Sequence, residues 1–105
     1  MQRSTYDECV RYICDLLDSA YDDLPLHHWD DQTRFGRPNK IVCKAVKAVL
    51  LNLAASPQFN GNKEYENFKN NDGTPLVNTT YNVEKWKEAA KAAKDVIDLA
   101  ETKPE

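Results

Sequence analysis

The segment 41–55 constrains the fold of this chain more than any other part of the sequence. Among its 15 residues only two lysines and one asparagine are polar, so apolar side chains would cover most of the circumference of a helix. Such a helix needs neighbours on most of its sides, and it is too short to span a bilayer. The sequence therefore predicts a central helix over about residues 40–56, starting at Asn39 or Lys40 and ended by Ser56-Pro57.

A first amphipathic helix is predicted over about residues 5–24. It opens with Thr5 and, three residues later, Glu8, which is the pattern of a capping box. Pro25 ends it, because the residue before a proline disfavours the helical conformation. Apolar residues recur at spacings of three and four, which indicates one buried face. That face contains Tyr6, Val10, Ile13, Leu17, Ala20 and Leu24.

A third helix is predicted over about residues 83–101, with Asn82 as its N-cap. Its apolar stripe is rich in alanine, which indicates close approach to a neighbouring helix, and Trp86 is interpreted as a structural anchor in the core. Ion pairs such as Lys91 with Asp95 are expected on the opposite, solvated face. The stripe contains Trp86, Ala89, Ala90, Ala93, Val96, Ile97 and Ala100.

A chain of 105 residues has room for one hydrophobic core, so the sequence predicts a single, mainly α domain over residues 1–105. The three helices leave a long irregular insertion, residues 57–82, between the second and the third. Asn71-Asp72-Gly73 predicts a turn inside it. A short helical turn within 63–69 and a brief strand pairing at Leu76-Val77 are also expected.

Charge and composition exclude several classes of function. There are 14 Lys and Arg against 17 Asp and Glu, a net charge of −3, which argues against an electrostatic hold on nucleic acid or on an anionic membrane. No apolar run approaches the roughly 18 residues of a membrane span, and Met1 to Ser4 does not begin a signal peptide.

The three cysteines are expected to be free, buried or half-buried thiols that act as small apolar side chains. Cys9 and Cys14 are five residues apart on a predicted helix, a spacing that points their side chains away from each other. Cys43 lies in the most apolar stretch. No Cys-x-x-Cys pair is present, so these residues do not predict a metal site.

One loop, residues 25–39, concentrates chemically versatile side chains in the run His27-His28-Trp29-Asp30-Asp31. A solvated loop is the favoured interpretation, and a metal-binding or catalytic role is the remotest, since adjacent residues rarely converge on one ion. A third interpretation, ranked between these two, is ligand contact, in which Trp29 stacks on a sugar ring beside His28 and Asp30. Arg34 and Arg37 are expected to tie the loop down onto Asp30, Asp31 or the carbonyls at a helix end.

A second aromatic group, Tyr65, Phe68 and Tyr81, lies in the insertion. Packing of the insertion onto the helices is the favoured interpretation, and a second ligand platform formed with Tyr65 and Tyr81 is the alternative. No nucleotide-binding loop, nucleophile elbow or metalloprotease motif occurs in the sequence. We therefore predict no catalytic residues, no metal and no cofactor, and expect that the protein is not an enzyme.

Several short motifs resemble, in order, one stretch of the SusD/RagB family of glycan-binding outer-membrane lipoproteins of Bacteroidetes. Arg34-Phe35-Gly36-Arg37-Pro38-Asn39-Lys40 is similar to that family's Gly-Arg-x-x-Lys turn before an alanine-rich helix. Ala54-Ala55-Ser56-Pro57-Gln58-Phe59-Asn60-Gly61 is similar to its Ala-Ser-Pro-x-Phe-Asn-Gly signature. Further matches are Arg3 to Glu8, Asp15 to Ala20, Leu24-Pro25, Asn70 to Gly73 and Trp86 to Ala93.

The resemblance implies a tetratricopeptide-like packing of the three helices and a fragment of a longer protein. It implies a non-catalytic scaffold that supports binding of a polysaccharide or oligosaccharide and works with a TonB-dependent transporter barrel, on the surface of the outer membrane. Arg37 and Pro57 would be structural residues, a loop anchor and a helix stop. Family members carry a signal peptide and a lipidated cysteine, which this sequence lacks. A stand-alone tetratricopeptide-like module that binds another protein is the alternative.

A fragment would expose apolar area that the rest of a longer protein covers. We therefore expect copies of this chain to associate through the apolar faces of the first and second helices.

Overall fold

The computed structural model describes residues 2–102 and shows three α-helices. They are α1 (Tyr6–Tyr21), α2 (Lys40–Ala55) and α3 (Val83–Ala100), and no strand occurs in the described part of the chain. The prediction of a mainly α fold with three helices and a long irregular insertion between the second and the third is confirmed.

Each helix begins at a side-chain cap that the sequence predicts. Thr5 Oγ1 accepts from Glu8 N at 3.2 Å while Glu8 Oε2 accepts from Thr5 N at 2.8 Å, a complete capping box. Asn39 Oδ1 accepts from the α2 backbone at 2.9 Å, so Asn39 rather than Lys40 is the N-cap of α2. Asn82 caps α3 in the same way at 3.0 Å. These bonds satisfy backbone donors that the first helical turn leaves free.

Helix α2 is the central helix and packs against both α3 and α1. Their shared core is small and closely packed, because most of its members are cysteine and alanine. It contains Cys14, Leu51, Ala55, Ala89 and Ala92.

The prediction that α2 is covered on most sides is wrong for one of its faces. Val42, Val46, Val49 and Leu53 lie opposite the buried face, and between 45% and 70% of each side chain is exposed. The two helices that pack on α2, α1 and α3, leave this side of it uncovered. This row is called the outer row below.

Helix α1 ends at Tyr21, three residues before the predicted end, and Asp22 is its C-cap. Its buried face also differs from the prediction: Ile13 is 40% exposed and Ala20 is exposed, whereas Cys14 is 1% exposed. The reason is the position of α2, which packs against the side of α1 that carries Cys14 rather than Ile13. Lys47 Nζ, at 2.8 Å from Asp18 Oδ1, joins the two helices at the edge of this contact.

The predicted role of Trp86 as a core anchor is wrong, since 39% of the residue is exposed. Helix α3 turns its neighbouring row of side chains inward, with Ala89 and Ala92 buried. These small residues let α2 come close, and the bulky indole stays at the margin of the contact. The rest of the predicted stripe is half-buried at Val96 and exposed at Ala90, Ala93, Ile97 and Ala100.

The insertion between α2 and α3 folds as short turns rather than as strands. Lys63–Tyr65 forms a single 3-10 turn inside the predicted helical segment. The predicted turn at 71–73 is present, with Gly73 N donating to Asn70 O at 2.9 Å. Its flanks form only an isolated bridge between Lys69 and Pro75, so the expected strand is absent from the described insertion. The ladder stops there because Phe68 N donates to Tyr65 O at 3.0 Å, while Leu76 O accepts from Tyr6 N at 2.8 Å.

The three cysteines are free, as predicted, but they differ in burial. Cys14 is 1% and Cys43 is 6% exposed, and the Cys43 thiol donates to Leu17 O at 3.2 Å. Cys9, which the sequence placed among buried or half-buried thiols, is exposed. Burial raises the pKa of the Cys14 thiol, against the opposing effect of the nearby Lys47 charge.

The molecule is elongated, with extents of 53 × 30 × 18 Å and a radius of gyration of 17.0 Å. A compact domain of this length would have a radius of gyration of about 13 Å. A flat, extended arrangement buries few side chains, which accounts for the small core. No helix within residues 2–102 is long and apolar enough to cross a membrane.

Candidate functional site

The loop between α1 and α2 presents an aromatic ring to solvent. The indole of Trp29 stacks on the imidazole of His27, with ring centres 4.5 Å apart and planes 8° from parallel. Trp29 N also donates to His27 Nδ1 at 3.4 Å. Because His27 covers one face of the indole and 62% of Trp29 is exposed, the other face of the indole is open. An open aromatic face backed by a second ring suits stacking against a planar or apolar ligand surface.

The base of this loop is closed by contacts between its two ends. Lys40 N donates to Pro25 O at 2.9 Å, and Lys40 Nζ donates to Tyr21 O at 2.6 Å. The Lys40 ammonium also lies 4.3 Å from the centre of the Tyr21 ring. His28 Nε2 lies 3.1 Å from Pro38 O, where its N–H tautomer donates. These contacts tie the two ends of the loop together without a ligand.

Asp31 organises the middle of the loop. Its carboxylate accepts from Thr33 Oγ1 at 2.6 Å and from Thr33 N at 2.9 Å, which starts a 3-10 turn over Gln32–Arg34. Both bonds favour the charged form, so the Thr33 hydroxyl and then the Thr33 N–H hold the pKa of this carboxyl below its ordinary value. Arg34 Nε lies 3.1 Å from Asp31 Oδ2, as the sequence predicts.

Arg37 does not anchor the loop in the predicted way. It is exposed, and among residues 2–102 its guanidinium forms no ion pair with Asp30 or Asp31. Lys40, four residues from the loop's Gly36, holds the helix-end carbonyl of Tyr21 instead. Its long side chain starts on the first turn of α2, which places it nearer to the end of α1.

His28 and Asp30 therefore have different surroundings. His28 is half-buried, and its hydrogen bond to Pro38 O stabilises the loop. Asp30, the residue after Trp29, is exposed. Within the described part of the chain, no group of three or more His, Cys, Asp and Glu side chains converges closely enough to hold a metal ion.

A second surface is built from four aromatic rings that form a row. Tyr6 and Phe59 stack at 4.4 Å between ring centres, and Phe59 and Tyr65 follow at 6.2 Å, both pairs within 9° of parallel. Phe68 continues the row at 6.2 Å from Tyr65, tilted by 49°. The Arg3 guanidinium lies 4.8 Å from the centre of the Phe68 ring and ends the row.

This row lines a groove of about 300 Å³ between the start of α1 and the insertion. Burial, followed by the charge of Asp7, raises the pKa of the Tyr6 phenol. Tyr65 lies between Phe59 and Phe68, with ring centres 6.2 Å from each, so its ring packs within the row. The groove lining contains Arg3, Ser4, Tyr6, Cys9, Phe59, Tyr65, Phe68, Leu76 and Val77.

The predicted platform of Tyr65, Phe68 and Tyr81 is therefore only partly assembled. The structure brings Tyr65 and Phe68 together, but Tyr81 stacks on no other ring within residues 2–102, and 61% of it is exposed. The sequence interpretation missed the contributions of Tyr6 and Phe59. Phe59 lies inside the motif Ala-Ser-Pro-x-Phe-Asn-Gly, and this motif was the sequence feature that could have pointed to a role for Phe59.

That motif also forms the joint between α2 and α3. Helix α2 ends at Ala55, Ser56 takes an extended conformation with ψ of 154°, and Pro57 follows. Asn60, which is 4% exposed, then turns its side chain back into the structure. Its amide donates to Ala55 O at 3.3 Å and to Asn82 O at 3.0 Å.

The chain is similar to solved structures of BT4246, a protein of Bacteroides thetaiotaomicron. One superposes with a TM-score of 0.87 and 38% sequence identity over 95% of this chain. A selenomethionine form superposes with a TM-score of 0.84 and 39% identity over the same share. In both, the match spans 17% of the BT4246 chain, about one sixth of its length. No protein-family model and no curated protein matches the sequence.

Proposed function

We propose that this chain is a non-catalytic scaffold segment of a SusD-like glycan-binding protein. In this proposal the longer protein is a lipoprotein on the outer membrane surface and delivers polysaccharide or oligosaccharide to a TonB-dependent transporter barrel. Neither nucleic acid nor a cofactor has a part in it. The observation that carries the proposal is that the SusD/RagB-like motifs are the joints of the fold.

The motif residues act on neighbouring helices rather than on a reacting centre. Lys40, from the Gly-Arg-x-x-Lys turn, bonds to the end of α1 at 2.6 Å. Asn60, from the Ala-Ser-Pro-x-Phe-Asn-Gly signature, bonds to the end of α2 and to the residue that caps α3. Side chains that join consecutive helices in this way suit a structural part of a larger protein.

The likeness to BT4246 supports the same interpretation. It extends over 95% of this chain but over only 17% of BT4246, so a chain of this fold occurs as one part of a much longer polypeptide.

Within this proposal, the loop around Trp29 is the surface that meets the sugar. Its indole has one open face, and contacts of Lys40, Asp31 and His28 support the loop. Rigid aromatic side chains lose little conformational freedom on binding, and the exposed carboxylate of Asp30 can accept hydrogen bonds from sugar hydroxyls. Tyr65 and Tyr81 are the second choice, because the Tyr65 ring packs within its row.

An amide correlation NMR titration with soluble polysaccharides and oligosaccharides tests the sugar contact. The chain has two tryptophans, so its indole N–H region holds a signal from Trp29 and one from Trp86. We expect the Trp29 signal and the amides of residues 27–37 to shift, while the Trp86 signal stays in place. Trp29→Ala should abolish the shifts, and Trp86→Ala, the matched control, should preserve them.

Shifts confined to residues 60–81 would move the contact to the aromatic groove and contradict the role of Trp29. The scaffold role has its own test in the genome, because a transporter-barrel gene beside this one and a reading frame continuing on both sides are expected. A reading frame limited to these 105 residues would favour a stand-alone module that binds a protein partner. The exposed outer row of α2 is the observation that favours this second candidate.

A further inference from the structure

The residue that joins α2 to α3 also has the most reactive neighbour an asparagine can have. Asn60 is the only asparagine of the sequence that precedes a glycine. In an open chain the backbone N of Gly61 can approach the carboxamide carbon of Asn60 freely, because a glycine carries no Cβ to hinder it. The Asn60-Gly61 pair is therefore the position at which spontaneous deamidation of the unfolded chain is fastest.

Deamidation consumes the side-chain amide of Asn60 in two steps. First, Gly61 N bonds to Asn60 Cγ, the Cγ–Nδ2 bond breaks, and ammonia leaves with the proton that Gly61 N gives up. A succinimide ring remains. Water then opens this ring at either of its two carbonyl carbons. Opening at the backbone carbonyl carbon gives isoaspartate, in which the main chain runs through the former side chain, and opening at Cγ gives aspartate.

The fold restrains every atom that takes part in ring closure. Asn60 Nδ2, which would leave, donates to Ala55 O at 3.3 Å and to Asn82 O at 3.0 Å. Asn60 Oδ1 accepts from Asn82 N at 2.9 Å. The attacking atom, Gly61 N, donates to Asn78 O at 3.3 Å. Asn60 is only 4% exposed, which also keeps water from the site. Ring closure therefore requires these bonds to break first.

The products do not fit the closed joint. In an aspartate at this position a carboxylate oxygen replaces Nδ2 and faces Ala55 O and Asn82 O, which lose their donor. A buried charge beside two unsatisfied carbonyl oxygens is strongly unfavourable. Isoaspartate also lengthens the main chain next to Gly61. Gly61 packs so closely on Tyr81 that an added Cβ would lie 3.0 Å from the Tyr81 backbone, which leaves no space for that displacement.

We propose that Asn60 is a deamidation site which the fold protects, and that its modification prevents the joint between α2 and α3 from closing again. Opening of the joint exposes the Asn60-Gly61 pair, and a chain that reacts while open does not return to the native state. The reaction thus limits the lifetime of the folded chain. This inference is independent of the proposed function, because it involves only the chain itself and water.

Peptide mapping by mass spectrometry tests the protection. The full chain is incubated at mildly alkaline pH in native buffer and in urea. In urea we expect Asn60 to deamidate faster than any other asparagine, and in native buffer about tenfold more slowly or less. A synthetic peptide of residues 57–64 controls for urea itself and should react equally in both solutions. Gly61→Ala should slow the reaction in urea, where folding plays no part, because its methyl group hinders the attack.

Cys14→Ala tests whether opening of the fold controls the reaction. This variant leaves a cavity in the core, which includes Ala55, but it keeps the Asn60-Gly61 pair unchanged. We expect faster deamidation of Asn60 in native buffer and the same rate as the unchanged chain in urea. An unchanged rate in native buffer would contradict the proposal. Equal rates for the unchanged chain in native buffer and in urea would overturn it outright.

Asn60→Asp reproduces the aspartate product and tests whether the joint still closes. We expect its midpoint of urea unfolding to lie well below that of the unchanged chain. Asn67→Asp makes the same chemical change at an exposed position of the insertion and should leave the midpoint nearly unchanged. If Asn60→Asp unfolds at the same urea concentration as Asn67→Asp, the modified chain can refold and the proposal is wrong.

Discussion

Asn60 and Asn82 bind each other through two hydrogen bonds across 22 residues of sequence. Asn60 Nδ2 donates to Asn82 O at 3.0 Å, and Asn82 N donates to Asn60 Oδ1 at 2.9 Å. Asn60 Nδ2 also donates to Ala55 O, at the last residue of α2, while the Asn82 side chain caps α3. The two asparagines thus join the end of one helix to the start of the next, and the insertion between them becomes a closed loop.

Replacing Asn60 should destabilise the whole domain. Asn60→Ala leaves the Ala55 and Asn82 backbone groups without their partner at a site that is 4% exposed. Each unsatisfied buried group costs about 1–3 kcal/mol, so we expect a loss of about 2–4 kcal/mol in the free energy of unfolding. Urea unfolding followed by far-UV circular dichroism measures it. Asn67→Ala, at an exposed position of the same insertion, is the control and should change the free energy of unfolding little. Equal losses in both variants would mean that Asn60 does not join the two helices.

Alanine substitution at two glycines with the same backbone conformation distinguishes the effect of steric contact from that of backbone strain. Gly61 and Gly73 both have φ of +89°, so an alanine at either costs about 1–2 kcal/mol for the left-handed conformation. At Gly61 an added Cβ would also lie 3.0 Å from the Tyr81 backbone, whereas at Gly73 it meets nothing within 4 Å. We expect Gly61→Ala to lower the midpoint of urea unfolding clearly more than Gly73→Ala. Similar midpoints would mean that Gly61 and Tyr81 are not in close contact.

The three thiols should react at two distinct rates. Cys9 is exposed, while Cys14 and Cys43 are buried and become accessible only when the structure opens. With a chromogenic disulfide reagent at neutral pH we expect one thiol per chain to react at once and two to react slowly. Cys9→Ser should remove the fast phase and leave the slow one. Three fast thiols would show that the core around Cys14 opens readily.

Stability should decline at alkaline pH in part because of Cys14. Burial raises the pKa of this thiol, so the unfolded chain loses the proton first, above about pH 8.5. The contribution of this group is fully present below that pH and is lost as the pH rises toward the folded-state pKa. Through this group the free energy of unfolding falls by at most about 1.4 kcal/mol per pH unit.

Urea unfolding between about pH 7.5 and pH 9.5 measures this slope. Cys14→Ala, although less stable at every pH because of the cavity it leaves, should show a flatter decline than the unchanged chain. Identical slopes would rule out the buried thiol as the cause. Tyr6, whose pKa is also raised by burial, acts in the same direction only above about pH 10.

Local signals in the sequence account for the helices and their beginnings. Thr5, Asn39 and Asn82 were each assigned a place at the start of a helix, and each accepts a bond from a backbone N–H two or three residues ahead. Such bonds depend on the neighbouring residues alone, which is why a linear pattern predicts them. The end of α1 was placed too far along, at residue 24 instead of Tyr21, because Pro25 limits the helix without specifying where it stops.

The faces of the helices were less predictable. Trp86 and Ala89 both belong to the apolar stripe of α3, yet only Ala89 is buried. A helical-wheel projection shows that one stripe of α3 is apolar, but the position of the neighbouring helix determines which side chains of that stripe are covered. The outer row of α2 makes the same point, because an apolar composition does not state how many neighbours will be present.

The same distinction between local and long-range contacts applies to the candidate site. The exposed loop around Trp29 was predicted from a short run of residues, whereas the row of Tyr6, Phe59, Tyr65 and Phe68 was not. Its first two members are 53 positions apart in the chain, and no local pattern announces such a contact.

The sequence by itself determined three helices, their capped starts and a mostly irregular insertion, since these depend on hydrogen bonds and periodicities that span a few residues. Only the tertiary structure decided that Asn60 would be buried, that Lys40 rather than Arg37 would close the loop, and that the outer row of α2 would remain exposed. Those outcomes depend on the relative positions of segments far apart in the chain, where desolvation and close packing select among side chains that the sequence alone makes equivalent.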